Sequence, residues 1–108
     1  NIKRDYIYIQ DLTRLCRMAI EQPHTGTFNA GSGVSMTLNN LLRSIEQQLG
    51  SKAEVEYQTV RKFDVPEIAL DIKRAEKVYG WAPEINMEEG LARYHDWLAK
   101  AGSNALPI

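Results

Sequence analysis

A chain of 108 residues, 44% hydrophobic and 25% charged, has room for one modest core and is too apolar for a disordered segment. Thirteen Lys and Arg against fourteen Asp and Glu are interspersed to a net charge of -1, which excludes the basic stripe that follows a nucleic-acid backbone. No apolar run approaches the length of a membrane span and Cys16 has no disulfide partner, so the expected setting is the cytoplasm, away from membrane and nucleic acid.

In chain order, Tyr6 to Ile9 is an aromatic and β-branched run that predicts a strand. Asp11 follows in the position of a helix N-cap, and Leu12, Leu15, Cys16, Ala19 and Ile20 recur at helical spacing, with Cys16 expected as a small buried hydrophobe. Pro23 and Gly26 end that helix. Thr27 to Ala30 predicts a second strand and Gly31-Ser32-Gly33 a loop. Thr37 can cap a helix whose apolar face is Leu38, Leu41, Leu42, Ile45 and Leu49, with Gly50 as its left-handed stop. Residues 53–59 alternate, with Ala53, Val55 and Tyr57 on one side, and predict a strand with one wet face. Ile68 to Leu70 predicts another short strand, and Asp71 caps a brief helix that stops at Gly80. Asn86 and Glu89 stand in a capping-box relation at the start of a last helix carrying Met87, Leu91, Tyr94 and Leu98 inward.

The pattern is mixed α/β, with a few short strands and about four helices in one unit over residues 1–101, followed by a loosely held tail over 102–108. That is too little sheet for an independent doubly wound fold, so the unit is expected to lean on something larger. Asn1 in place of a methionine agrees with upstream sequence, here expected to have been removed.

The chemistry on offer is binding rather than catalysis. His24 sits in a turn and His95 on the last helix, with no second ligand at metal spacing, so no metal site is expected. Gly31-Ser32-Gly33 lacks the lysine of a Walker loop and the third glycine of a dinucleotide turn, and Ala30 stands where a nucleophile elbow needs glycine. Four polar residues at loop and strand ends remain: Arg4, Asn29, Arg61 and Asp64. Arginine forks suit phosphate oxygens, and a carboxylate accepts from sugar hydroxyls. Spacing alone favours local roles for them: Arg4 paired with Asp5, Asn29 fixing the turn after it, and Arg61 paired with Asp64.

A series of segments in fixed order changes that weighting. Arg4-Asp5-Tyr6-Ile7-Tyr8-Ile9-Gln10-Asp11-Leu12, Phe28-Asn29-Ala30-Gly31-Ser32-Gly33, Arg61-Lys62-Phe63-Asp64-Val65, Leu70-Asp71-Ile72-Lys73-Arg74-Ala75, Tyr79-Gly80-Trp81-Ala82-Pro83 and Glu89-Gly90-Leu91 resemble motifs of the extended short-chain dehydrogenase/reductase family, the NAD-dependent nucleotide-sugar epimerases and dehydratases. The chain departs from that pattern at Lys73-Arg74 and at Ile68. The resemblance implies a UDP-glucose 4-epimerase-like enzyme in two parts: an amino-terminal Rossmann domain that binds NAD, and a smaller carboxyl-terminal part that holds a UDP- or dTDP-hexose. This chain would supply only the second part, with no cofactor of its own and the Rossmann domain as its partner, in an enzyme expected to be a homodimer. By the same resemblance Arg4 and Arg61 would contact the diphosphate, Asn29 would lie near it, and Asp64 would accept from the ribose hydroxyls. The family's glycine-rich dinucleotide turn and Tyr-x-x-x-Lys base are not in these residues, so no catalytic residue is assigned and the piece alone is expected to be inactive. Two alternatives stay open: a freestanding ligand-sensing or interaction module without catalysis, and a nucleotide-sugar reductase or decarboxylase of the same family.

Overall fold

The computed structural model describes residues 2–58 and 64–101. Its elements are β1 (Lys3–Asp5), α1 (Ile9–Glu21), β2 (Ser35–Thr37), α2 (Leu38–Leu49), α3 (Lys73–Tyr79) and α4 (Met87–Ala101). This is the mixed α/β class expected, with four helices and a two-stranded sheet among the described residues.

Helix ends follow the local sequence. Thr37 Oγ1 accepts from Asn40 N at 3.1 Å to open α2, and Gly50 closes it at φ 70°, donating its N–H to Glu46 O. Asp71 Oδ1 accepts from Lys73 N at 3.0 Å ahead of α3, which stops at Gly80 with φ 65°. Asn86 Oδ1 accepts from Glu89 N at 2.8 Å at the start of α4. Each of these contacts joins residues within a few positions, so the signal is complete in the sequence itself.

Strands are placed differently from the expectation. The paired segment is Lys3–Asp5 rather than Tyr6 to Ile9, and Ile9 already belongs to α1. Its antiparallel partner is Ser35–Thr37 rather than Thr27 to Ala30, in the register Lys3 to Thr37, Arg4 to Met36 and Asp5 to Ser35. Residues 53–58 are exposed and form no strand, while residue 59 and the tail over 102–108 lie outside the described residues. Instead of a strand over Ile68 to Leu70 there is a single parallel bridge, Lys3 to Glu67. Alternation makes a segment suitable for a sheet, but a strand exists only where a partner edge is in reach.

The core forms where α1 lies on α3. Leu15, Ala75, Tyr79 and Trp81 are buried there, with Ile7, Met18, Ala19, Phe28, Ala30, Ile72 and Val78 packed around them. The rings of His24 and Phe28 both meet Tyr79 edge-on, with centroids 5.1 Å away. On the other side α2 packs on α4, and Gly90 lets α4 approach Tyr8, whose Cδ1 would stand 3.2 Å from an added Cβ.

Two expectations for α1 are corrected by this packing. Cys16 is exposed rather than buried, because Leu15, Met18 and Ala19 face the core while Ile9, Leu12, Cys16 and Ile20 form a separate apolar row turned outward. Asp11 is no N-cap. It lies within α1, whose cap position is Tyr8 with no side-chain bond, and it is almost completely buried at 1% exposure. Its Oδ1 and Oδ2 accept from Glu84 N and Ile85 N, each at 3.1 Å, and its carbonyl accepts from Trp81 Nε1 at 2.9 Å. Arg14 completes the tie. It approaches Asp11 Oδ1 at 3.4 Å, donates to Ala82 O and lies 5.8 Å from the Trp81 ring. The carboxylate therefore fastens α1 to the segment that leads into α4.

Candidate functional site

β1 is short, yet it organises one whole edge of the molecule. Successive side chains of a strand point to opposite faces, so Arg4 and Asp5 reach in different directions. Arg4 Nη1 donates to Val65 O at 2.7 Å and to Lys3 O at 2.9 Å. Asp5 turns to the Gly-Ser-Gly loop: Oδ1 accepts from Ser32 N at 2.8 Å and Ser32 Oγ at 2.7 Å, and Oδ2 from Gly33 N at 3.0 Å and Leu70 N at 3.0 Å. Burial of this carboxyl works to raise its pKa. The bonds from Leu70 N, Ser32 N, Ser32 Oγ and Gly33 N together outweigh burial and hold it below its ordinary value.

The backbone of β1 adds two further ties to the same returning segment, Lys3 N to Pro66 O at 2.9 Å and Ile68 N to Lys3 O at 3.1 Å. Residues 65–70 are thus held along β1 from one end by Arg4 and from the other by Asp5. Gly31 makes this closeness possible, since an added Cβ there would stand 2.9 Å from both Asp5 Oδ2 and Leu70 Cδ1. At the outer side Lys3 Nζ lies 3.9 Å from Glu67 Oε1, which also accepts from Ser35 Oγ.

The predicted site residues are distributed about this edge. Arg4 sits on β1 and holds the residue that directly follows Asp64, so these two belong to one neighbourhood. Asp64 is half-buried. Asn29 does not fix the turn after it: its Nδ2 donates across the fold to Asp71 O at 3.2 Å, bracing the far end of the returning segment. Arg61 lies outside the described residues. Arg4 does not pair with Asp5, whose oxygens are taken by the loop and by Leu70 N. Asp5 is the residue that sequence reasoning passed over. A signal was present, because a Gly-Ser-Gly turn gathers backbone N–H donors that need an acceptor, but nothing local says which carboxylate supplies it.

A second feature is an apolar cleft of about 450 Å³ between the segment after β1 and the two packed helices, lined by Tyr6, Tyr8, Ile9, Leu41, Leu91 and Tyr94 among others. Ile9 belongs both to this cleft and to the outward row of α1. Among the described residues no three His, Cys, Asp or Glu side chains gather to hold a metal ion, and no helix is long and apolar enough to cross a membrane.

Compared with known proteins, the chain matches a family described as GDP-mannose 4,6 dehydratase over residues 1–94. The chain belongs to the nucleotide-sugar epimerase/dehydratase family. Within this family of extended short-chain dehydrogenases/reductases, a dTDP-4-dehydro-6-deoxyglucose reductase from Escherichia coli is 41% identical over 90 residues, which is 82% of this chain and 28% of the reductase. A UDP-glucose 4-epimerase from Thermotoga maritima, solved with UDP-glucose, superposes with a TM-score of 0.84 at 33% identity over 93% of this chain and 32% of that enzyme. A UDP-glucose 4-epimerase from Bifidobacterium longum, solved with NAD+ and UDP, shares the fold with a TM-score of 0.82 at 23% identity over 93% of this chain and 31% of that enzyme. The chain spans about three tenths of the length of these relatives. It corresponds to the carboxyl-terminal portion of such epimerases.

Proposed function

We propose that this epimerase/dehydratase-family chain is the substrate-binding part of an NAD-dependent enzyme acting on a nucleotide-sugar, and that it is inactive without the NAD-binding Rossmann domain. Arg4 and Arg61 meet the diphosphate, Asn29 lies beside the same groups and Asp64 accepts from the ribose hydroxyls. The observation that carries this reading is the edge at β1, where Arg4 and the stretch that begins at Asp64 are held together by hydrogen bonds. A guanidinium keeps its charge at any physiological pH and offers donors in one plane, as a diphosphate requires.

The remainder of the chemistry belongs to the other part of the enzyme. NAD accepts hydride from a sugar carbon, and the keto sugar that results is re-reduced or dehydrated. The thin core supports this division. Among the described residues only Leu15, Ala75, Tyr79 and Trp81 are buried apolar side chains, while Ile9 and Ile20 are 65% and 79% exposed in the outward row of α1. Apolar surface of that kind is ordinarily covered by another body. The full enzyme is a cytoplasmic homodimer in this reading.

Nuclear magnetic resonance titration of the chain with UDP-glucose, dTDP-glucose and GDP-mannose tests the assignment. Half a site binds feebly, since each charge-assisted hydrogen bond contributes about 1.5–3 kcal/mol and association alone costs several. Millimolar binding is expected, with shifts at Arg4, Asn29, Arg61 and Asp64 and binding weakened several-fold in Arg4→Gln. Micromolar affinity, or shifts confined to the opposite helices, would contradict the assignment. The 41% identity to a reductase favours a second reading in which the parent reduces a 4-keto sugar. Product analysis of the longer enzyme separates reduction from epimerisation and dehydration.

A further inference from the structure

Asp5 has no place in the ligand contacts just described, yet it is the most heavily bonded side chain on that edge. It accepts two bonds from Ser32, one from Gly33 and one from Leu70, so its charge is enclosed by donors from two segments far apart in sequence. A negative charge this close to a bound diphosphate would repel it if it were open to the ligand. Enclosed in this way, the carboxylate acts on the site through geometry.

The geometry is specific. β1 is three residues long and is paired on one side only by β2. On its other side the returning segment is attached by Arg4 Nη1 to Val65 O, Lys3 N to Pro66 O, Ile68 N to Lys3 O and Leu70 N to Asp5 Oδ2. The Asp5 bond is the last of these and the one that links the segment to the Gly-Ser-Gly loop. Without it, the segment is still tied near Arg4 and Glu67 and, past Leu70, by Asn29 Nδ2 to Asp71 O, but Leu70 itself is no longer fastened to β1. The crowding at Gly31 shows that loop, carboxylate and Leu70 are in close contact, since an added Cβ there would stand 2.9 Å from both Asp5 Oδ2 and Leu70 Cδ1.

We infer that Asp5 is the positioning residue of the nucleotide-sugar site: by fastening the Gly-Ser-Gly loop and Leu70 to β1, it sets the distance between Arg4 and Asp64. This rests on the reading of Arg4 as a diphosphate ligand. Asp5→Asn keeps the size of the side chain but turns an NH2 group toward N–H donors, so at least one of the bonds is lost. A prepositioned grip that becomes mobile must be ordered again on binding, which weakens affinity.

The test uses this chain, with uridine diphosphate and thymidine diphosphate as the titrants. Asp5→Asn is expected to raise Kd by about tenfold while the amide signals of α1, α2 and α4 stay native. Paired with Arg4→Gln in a double-mutant cycle, the two losses should be less than additive, because a positioning residue has nothing left to position once the arginine is gone. Additive losses, or unchanged affinity in a natively folded Asp5→Asn, would overturn the inference. If Asp5→Asn does not fold, Ser32→Ala removes the single hydroxyl donor and is expected to weaken binding by about threefold with the same non-additivity, and no change there overturns the inference too. Unchanged affinity in Arg4→Gln instead sinks the reading of the site beneath it.

Discussion

Replacing Asp11 by asparagine separates two roles for one carboxylate. Asparagine and aspartate are nearly equivalent as helix caps, so a capping role predicts almost no loss of stability. The folded chain uses the residue otherwise: one oxygen accepts from Glu84 N and the other from Ile85 N, each at 3.1 Å, at a position only 1% exposed. Asparagine has one oxygen, and whichever way its amide turns, one of those two N–H groups faces another donor. A buried amide without an acceptor costs about 1–3 kcal/mol, so Asp11→Asn should lose about 2 kcal/mol. Asp11→Ala strips both acceptors and also the Arg14 partner, for a loss of about 3–5 kcal/mol. Urea unfolding measures both. Trp81 is a suitable reporter, since it is fully buried and its Nε1 donates to Asp11 O at 2.9 Å. With m of about 1–3 kcal/mol/M, the asparagine variant should unfold at a midpoint about 1 M lower and with the same slope. An asparagine variant within about 0.5 kcal/mol of the wild type, beside an alanine variant that loses about 1, would restore the capping role and refute the tertiary one.

Three further outcomes are expected. Asp5 is held below its ordinary pKa when folded, so its contribution is complete above the unfolded value and is lost as pH falls through the lowered one; stability should drop below about pH 4, and less steeply in Asp5→Asn, by urea midpoints across pH. Cys16 is exposed, so a thiol reagent should label the native chain almost as fast as the unfolded one and leave its circular dichroism unchanged. Two Gly→Ala variants differ in cause: Gly50 has open space around an added Cβ but a φ of 70°, for a loss of about 1 kcal/mol, whereas at Gly31 the Cβ meets Asp5 and Leu70 at 2.9 Å, for about 1–3 kcal/mol. Thermal unfolding of both variants checks the order.

How far the fold could be read from the sequence depended on the reach of each signal. The caps at Thr37 and Asn86 and the stops at Gly50 and Gly80 were legible because their hydrogen bonds close within the same turn. The alternating stretch over 53–58 was misleading, because a strand needs a partner that its own residues do not name. On α1 the apolar positions form two rows, and only contact with α3 selected Leu15 for the core and left Cys16 outside. The family order of segments pointed to the edge at β1, and Arg4 lies there beside the stretch that follows Asp64. Asn29 was placed with its own turn on spacing and instead braces Asp71.

The two aspartates mark the boundary most clearly. Propensity and periodicity, which act over a few positions, announced a strand near Asp5 and a helix near Asp11, and the folded chain places Asp5 at the end of β1 and Asp11 inside α1. What each carboxylate holds lies from 27 to 74 residues away, at Ser32, Leu70, Glu84 and Ile85. Backbone amides at such distances look alike in any sequence, and only chain folding, by removing them from water, determines which oxygen they must find.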